Sequence, residues 1–169
     1  MRSSLRLKEK TLPVIILPMH HEDIGAVAKI HSQAFPRQHS SLKWVNSNFH
    51  AHPRVMMFVA RNERDRVIGY IQWLHKSGFR KEAVIELEQI AIEKASQRQG
   101  IATKLIKESL SDIKSYLRDS KSKLKSILIS TRIDNKAQEL YSKALGAKTV
   151  ATIKDLYSAD EVVMIADSL

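Results

Sequence analysis

The 169-residue sequence contains no cysteine. A disulfide framework, a thiolate nucleophile and a thiolate-bound metal are all excluded by that absence. It also fits a reducing compartment, and a cytoplasmic location is the expectation. Long apolar runs are missing too, with nothing approaching the roughly 20 residues a membrane-spanning helix needs. The most apolar stretch, Leu12 to Met19, contains Pro13 and Pro18 and reads as a strand, not as the core of a signal peptide. Neither a membrane partner nor export is expected. Aromatics supply only 6% of residues, and no Pro/Gly/Ser linker, low-complexity tract or internal repeat divides the chain. Residues 1–169 are therefore expected to form a single domain with a frayed, basic start over 1–10.

What the chain has in excess is positive charge. Twenty-eight Lys and Arg against 18 Asp and Glu give a formal net charge of +10. Such a surface attracts polyanions: nucleic acid, acidic proteins, anionic lipid or a phosphate-rich cofactor. Charge alone does not choose among them.

Periodicity gives the order of elements. A strand over Val14 to Leu17 is followed by a helix in which Ile24, Val27, Ala28 and Ile30 recur at helical spacing behind acidic Glu22 and Asp23. Pro36 ends it, and Ser41 to Phe49 forms a second, short helix. Two β-type runs, Val55 to Ala60 and Val67 to Leu74, flank a polar turn and read as an antiparallel hairpin. A further strand covers Ala83 to Ile92. Within it Ile85 and Leu87 share one parity while Ile90 and Ile92 share the other. A slip of one residue in a period-two pattern marks a β-bulge near Glu88 or Gln89, and a strand buried on both faces gives the same pattern. A bulge placed there leaves Glu86 and Glu88 on one face.

Beyond it, Ala102, Leu105, Ile106, Leu110, Ile113 and Leu117 mark a helix from near Gly100 to Leu117. Then come a strand (Ser126 to Thr131), a helix ending at Gly146, and two closing strands in "TVATI" and "VVMIA". The order β-α-α-β-β-β-α-β-α-β-β predicts an α/β (or mixed α+β) sheet with helices on both faces.

The stretch Gln97-Arg98-Gln99-Gly100-Ile101-Ala102 joins a strand to a helix through a single glycine, the only one between Gly78 and Gly146. That is a recipe for holding phosphate, because glycine lets the backbone approach and the amides at the helix start point at the anion. It lacks both the G-x-G-x-x-G of a dinucleotide site and the G-K-[ST] ending of a P-loop.

The hexapeptide resembles the [QR]-x-x-G-x-[GA] signature of the GCN5-related N-acetyltransferase (GNAT) superfamily. Around it, "IELEQIAI" resembles that family's fourth strand, "SILIST" its fifth, and "DNKAQELYSKALGA" its N-x-x-A-x-x-L-Y segment. The resemblance is firm from about Val55 to Ala147. It implies a mostly antiparallel mixed sheet of about seven strands flanked by about four helices, with strands four and five splayed apart. It also implies acetyl-CoA as cofactor. Ile90, Ala91 and Ile92 would bind it through the main chain, and Gln97, Arg98, Gln99, Gly100, Ile101, Ala102 and Thr103 would surround the pyrophosphate. Asn135 joins this group, although Asp134 occupies the family's usual Asn spacing from Tyr141, and Ala147 stands where Phe is common.

The implied activity is acetyl transfer to a primary amine of a small molecule, peptide or protein by direct attack in a ternary complex. A neutral amine is needed, so Glu86 or Glu88 is the candidate base, and Tyr141 the acid for the departing thiolate. The plainer alternatives are solvated carboxylates paired with lysines and a core tyrosine on the Ala137, Leu140, Tyr141, Ala144 face. Lys94, Arg98, Lys104, Lys136 and Lys143 are candidates to line the approach of the phosphates.

Trp44, His39 and Phe49 fall where the family shapes its acceptor pocket. His20, His21, His50 and His52 complete no recognised metal-ligand spacing, so no metal is expected. A non-catalytic acyl-CoA sensor is the alternative, with Tyr141 and the two carboxylates against it. A nucleic-acid binder would show steep salt dependence, but no aromatic-basic RNA motif is present. Dimerisation is common in the family, which leaves a homodimer open.

Overall fold

Two residue spacings, two and three to four, dictate the elements of the computed structural model, which describes residues 13–167. The expected frayed start lies outside those residues. The elements are β1 (Ile15–Pro18), α1 (Ile24–Ala34), α2 (Ser41–Phe49), β2 (Val55–Arg61), β3 (Val67–His75), β4 (Glu82–Ile92), α3 (Ile101–Asp119), β5 (Lys123–Arg132), α4 (Ala137–Leu145), β6 (Lys148–Ile153) and β7 (Glu161–Asp167). One-turn 3-10 segments at His21–Asp23 and Lys94–Ser96 precede α1 and the glycine loop. The expected order is reproduced in full. The acid expected at the start of α1, Asp23, is buried and held by Arg61 of β2 at 2.5 Å.

The strands form one sheet in the order β1-β2-β3-β4-β5-β7-β6. Every neighbouring pair is antiparallel except β4 with β5. Helices cover both faces. On one, Ile101, Leu105, Ile106, Ile113 and Leu117 of α3 pack with Ile85, Leu87, Trp73 and Ile127 of the sheet. The Trp73 indole, fully buried there, donates to Ser109 Oγ at 2.9 Å, so its one polar atom is satisfied. On the other face Ile24, Val27, Ala28 and Ile30 of α1 and Val45 of α2 pack on Val59, Tyr70, Leu74 and Ala91.

The irregularities that matter lie on β4. Gln72 stands opposite Gln89 and Trp73 opposite Leu87, which makes Glu88 the extra residue of a bulge. Ile85 and Leu87 before it, and Ile90 and Ile92 after it, therefore pack toward the α3 core, whereas Ala91 packs toward α1. Both explanations of the parity slip hold at once: the strand is bulged, and both its faces are covered.

β4 and β5 pair only from Glu82 opposite Lys123 to Glu86 opposite Leu128. Beyond that point β4 continues to Ile92 bonded to β3, and β5 continues to Arg132 bonded to β7. The two facing edges are left apart, as the resemblance implies. Close approach of β3 to this end of β4 depends on Gly69, where a Cβ would come within 2.6 Å of Ile92 Cδ1 and 3.0 Å of the Ala91 carbonyl oxygen.

Candidate active site

The gap between the strands ends at the glycine loop. Arg98 and Gly100 both take left-handed backbone angles (φ 63° and 79°), the alternation that turns successive amides toward one point. Gly100 caps α3, and the first helical bond runs from the Lys104 amide to the Gly100 carbonyl at 3.1 Å. The amides of Ile101, Ala102 and Thr103 consequently have no acceptor within the helix and carry the positive end of its dipole. A Cβ built on Gly100 meets no protein atom within 4 Å. Gln97 fastens the loop to the strand by donating from Nε2 to the Ile92 carbonyl at 3.0 Å. Loop, helix start and the free β4 edge at Ile90, Ala91 and Ile92 thus form one continuous run of backbone polar groups. It fits a long ligand with a phosphate-bearing end. Of the expected cations, Lys104 is paired with Glu108 at 2.5 Å and Lys143 with Glu139 at 3.8 Å.

The two carboxylates that the sequence left equivalent stand in different environments. Glu86 is paired with Lys76 at 2.8 Å and is the last β4 residue paired with β5. It matches the plainer expectation of a lysine-paired strand residue. Glu88 is the bulge residue at the mouth of the splay, and it accepts a short hydrogen bond from Gln72 Nε2. Burial lifts its carboxyl above the usual range, the Gln72 bond partly opposes this, and the Glu86 charge reinforces it. Gln72 is itself fully buried, and its Oε1 has no partner among the described residues.

Tyr141, on α4 beyond β5, sits at the edge of the α3 core with Leu145. Burial pushes its phenol up to about 12, so it is a neutral hydroxyl at ordinary pH. Asn135 turns inward: its Nδ2 donates to Thr131 Oγ1 at 2.7 Å and its Oδ1 accepts the Ala137 amide at 2.9 Å. It holds the first turn of α4, and its expected contact with the cofactor gains no support from this geometry. Asp134, at the family's usual Asn spacing, is paired with Arg132 at 2.9 Å.

On the α1–α2 face a polar network escaped the sequence. Gln89 Oε1 accepts from the Tyr70 hydroxyl at 3.0 Å and from Trp44 Nε1 at 3.2 Å. Gln89 Nε2 donates to Gln38 Oε1 at 3.1 Å, which His31 Nε2 also approaches at 2.9 Å, while His31 Nδ1 meets Ser41 Oγ at 2.8 Å. With the His31 proton on Nε2, every one of these bonds has a donor and an acceptor. The segment between α1 and α2 is thereby tied to the residue that follows the bulge.

Of the expected acceptor-side residues, Trp44 is in this network. Phe49 packs edge-on to His50 and His21, with ring centroids 5.3 and 6.1 Å away. His39 is exposed. One signal for the network was present: His31 falls on the apolar stripe of α1, and Gln72 and Gln89 interrupt apolar runs. Among the described residues no three His, Asp or Glu side chains are grouped to hold a metal ion, and no helix is long and apolar enough to cross a membrane.

Several solved structures share this arrangement. NAA60 of Arabidopsis thaliana in complex with acetyl-CoA superposes with a TM-score of 0.73 at 13% identity, over 92% of this chain and 98% of that one. Ard1 of Thermoplasma volcanium gives 0.73 at 18% identity over the same shares. An aminoglycoside 6'-N-acetyltransferase complexed with coenzyme A gives 0.75 at 16%, over 90% and 96%. At such identities the likeness shows the fold. No curated protein sequence matches the chain. The profile of the acetyltransferase (GNAT) family matches residues 24–147, from the start of α1 to just beyond the end of α4. With that match, on a splayed β4–β5 sheet and a phosphate-type loop, the chain belongs to the acetyltransferase (GNAT) family and is an acetyl-CoA-dependent N-acetyltransferase.

Proposed function

We propose that Glu88 and Tyr141 perform the proton transfers of this acetyltransferase, with the primary amine of a small molecule, peptide or protein as acceptor. Ile90, Ala91 and Ile92 would hold the cofactor's arm along the free β4 edge. Arg98, Gln99, Gly100, Ile101, Ala102 and Thr103 would hold its pyrophosphate through the nest and helix start, and Gln97 braces that loop. Lys94 and Arg98 add long-range attraction. Acetyl-CoA supplies an activated thioester whose carbonyl carbon takes the amine lone pair and whose sulfur departs.

The observation that carries the base assignment is the position of Glu88: it is the bulge residue at the splay, half-buried, and hydrogen-bonded by Gln72. A carboxylate raised by burial takes up a proton more readily near neutral pH than an ordinary one. Its oxygens would receive the ammonium proton, directly or through one water. Glu86 is instead engaged by Lys76. The Tyr141 hydroxyl would donate to the departing sulfur, which a phenol held neutral by burial is suited to do. One uninterrupted sheet supports treating the chain as a single domain.

The test is calorimetry with acetyl-CoA on the intact chain and on Gly100→Trp, followed by thiol release over a panel of amines. Binding by the intact chain, its loss in the variant, and turnover of at least one amine are expected. Binding with no turnover across the panel would leave a cofactor sensor and overturn the catalytic assignments.

A further inference from the structure

At the end of the sheet remote from the glycine loop lies a cavity of about 380 Å³, within the size range of small-molecule sites. Its walls include His75 at the end of β3, Tyr116 near the end of α3, Arg80, Lys81, Lys121 and the exposed ring of Phe79. The 19 residues of α3 separate it from Gly100, about 28 Å at 1.5 Å per residue. The sheet separates it from the acceptor side as well. Tyr70 and Leu74, with the parity of Gln72, pack toward α1. Trp73 has the parity of His75 and packs toward α3, where the His75 ring meets that of Tyr116.

His75 is the anomaly. It is 4% exposed, and neither ring nitrogen has a hydrogen-bond partner among the described residues. Burial holds its pKa down, so the ring is neutral, with one N–H to donate and one lone pair to accept. Buried polar groups without partners are rare because each forfeits its hydration. The ring that meets this imidazole edge-on at 5.0 Å is Phe79, itself 66% exposed. Phe79 follows a turn of two left-handed residues, Ser77 and Gly78. An exposed side chain of this kind changes rotamer quickly.

Charge selects the ligand. Among the described residues, Arg80, Lys81 and Lys121 have no carboxylate within 4.0 Å, while Glu82 next to them is taken by Lys123 at 3.2 Å. Three carbonyls in the last turn of α3 already hold amides. Tyr116, Leu117 and Arg118 accept the amides of Ser120, Ser122 and Lys121 at 3.0, 2.8 and 2.9 Å. The cavity therefore offers donors, positive charge and aromatic walls, and few acceptors.

We propose that this cavity is a second ligand site, separate from the acetyl-transfer centre, for a small organic anion: a carboxylate or phosphate ester joined to a planar or apolar body. The anion pairs with Arg80, Lys81 and Lys121 and accepts the His75 N–H. The body lies between Phe79 and Tyr116.

The test is nitrogen-detected NMR of the His75 ring during titration of the full chain with phenyl phosphate. Inorganic phosphate serves as a charge-only probe and benzyl alcohol as a body-only probe. A saturable shift of the His75 ring nitrogens is expected, with a dissociation constant of about 1 mM or tighter, and each partial probe at least about tenfold weaker. Exposed positions keep the test independent of folding: Phe79→Ser and the pair Lys81→Glu, Lys121→Glu should each weaken binding about tenfold, and Gly100→Trp should leave it unchanged. No shift at His75, equal responses to phosphate and phenyl phosphate, or loss of binding in Gly100→Trp would overturn the proposal. A shift of the His75 ring nitrogens with a polyanion such as RNA, and none with phenyl phosphate, would assign the basic loops to nucleic acid and overturn it too.

Discussion

The two faces of the sheet divide the work differently. On the α3 face the site is made of backbone: left-handed Arg98 and Gly100, the first amides of α3, and a strand edge exposed by splay. On the α1–α2 face it is made of side chains: Gln89 bridging Tyr70, Trp44 and Gln38, with His31 and Ser41 behind. Backbone recognition tolerates almost any side chain provided the angles are kept, so it needs a glycine and little else. Side-chain recognition depends on which residues tertiary packing brings together. On the proposed assignments, the first face would serve the cofactor and the second would vary with the acceptor.

That contrast is open to disruption from either face. The largest effect should come from Gly100→Trp. A left-handed cap is replaced by a bulky side chain in the space the loop amides face, and acetyl-CoA affinity should fall at least about a hundredfold by calorimetry. If Gly100→Trp binds normally, the loop does not hold the cofactor. Next in size, Tyr141→Phe should lower kcat about ten- to a hundredfold with acetyl-CoA affinity nearly intact, measured by thiol release at saturating cofactor. An unchanged kcat would return Tyr141 to the core.

On the other face, Gln89→Leu leaves the Tyr70 hydroxyl and Trp44 indole without their acceptor. It should cost about 1–3 kcal/mol in urea unfolding and raise the acceptor KM several-fold while sparing acetyl-CoA affinity. Equal losses for both substrates would contradict the division between faces. The smallest effect is a displacement on the pH axis. Glu88 acts as a base only when deprotonated, so kcat/KM should fall as pH drops through its raised pKa. The Gln72 bond lowers that pKa, so Gln72→Leu should move the acid limb to higher pH. A limb that stays in place would mean that another group titrates.

The same contrast explains what the sequence revealed. The parity slip from Leu87 to Ile90 located the bulge, because a period of two cannot slip silently under a buried face. Gln97 to Ala102 located the left-handed turn that caps α3, because such a cap before a helix is written as glycine. The strands and helices came from spacing and differ at their ends by at most three residues, with α2 identical at both. Glu86 and Glu88 were indistinguishable, since what separates them is Lys76 from the end of β3 and Gln72 from its middle, contacts set by the hairpin register. Asn135 fitted a family motif by type, yet its amide closes onto Thr131 and Ala137. The Gln89 network joins residues 31 to 89, and the His75 cavity joins residues 75 to 121. Polar residues inside apolar runs hint at such sites but do not name their partners.

The most direct measurement is the turnover of Glu88→Gln beside Glu86→Gln on an amine the intact chain acetylates, at saturating acetyl-CoA. A fall in kcat of about 10²- to 10⁴-fold is expected for Glu88→Gln and of less than about tenfold for Glu86→Gln. The reverse order, or two equal and small losses, would contradict the assignment of the bulge carboxylate as the base.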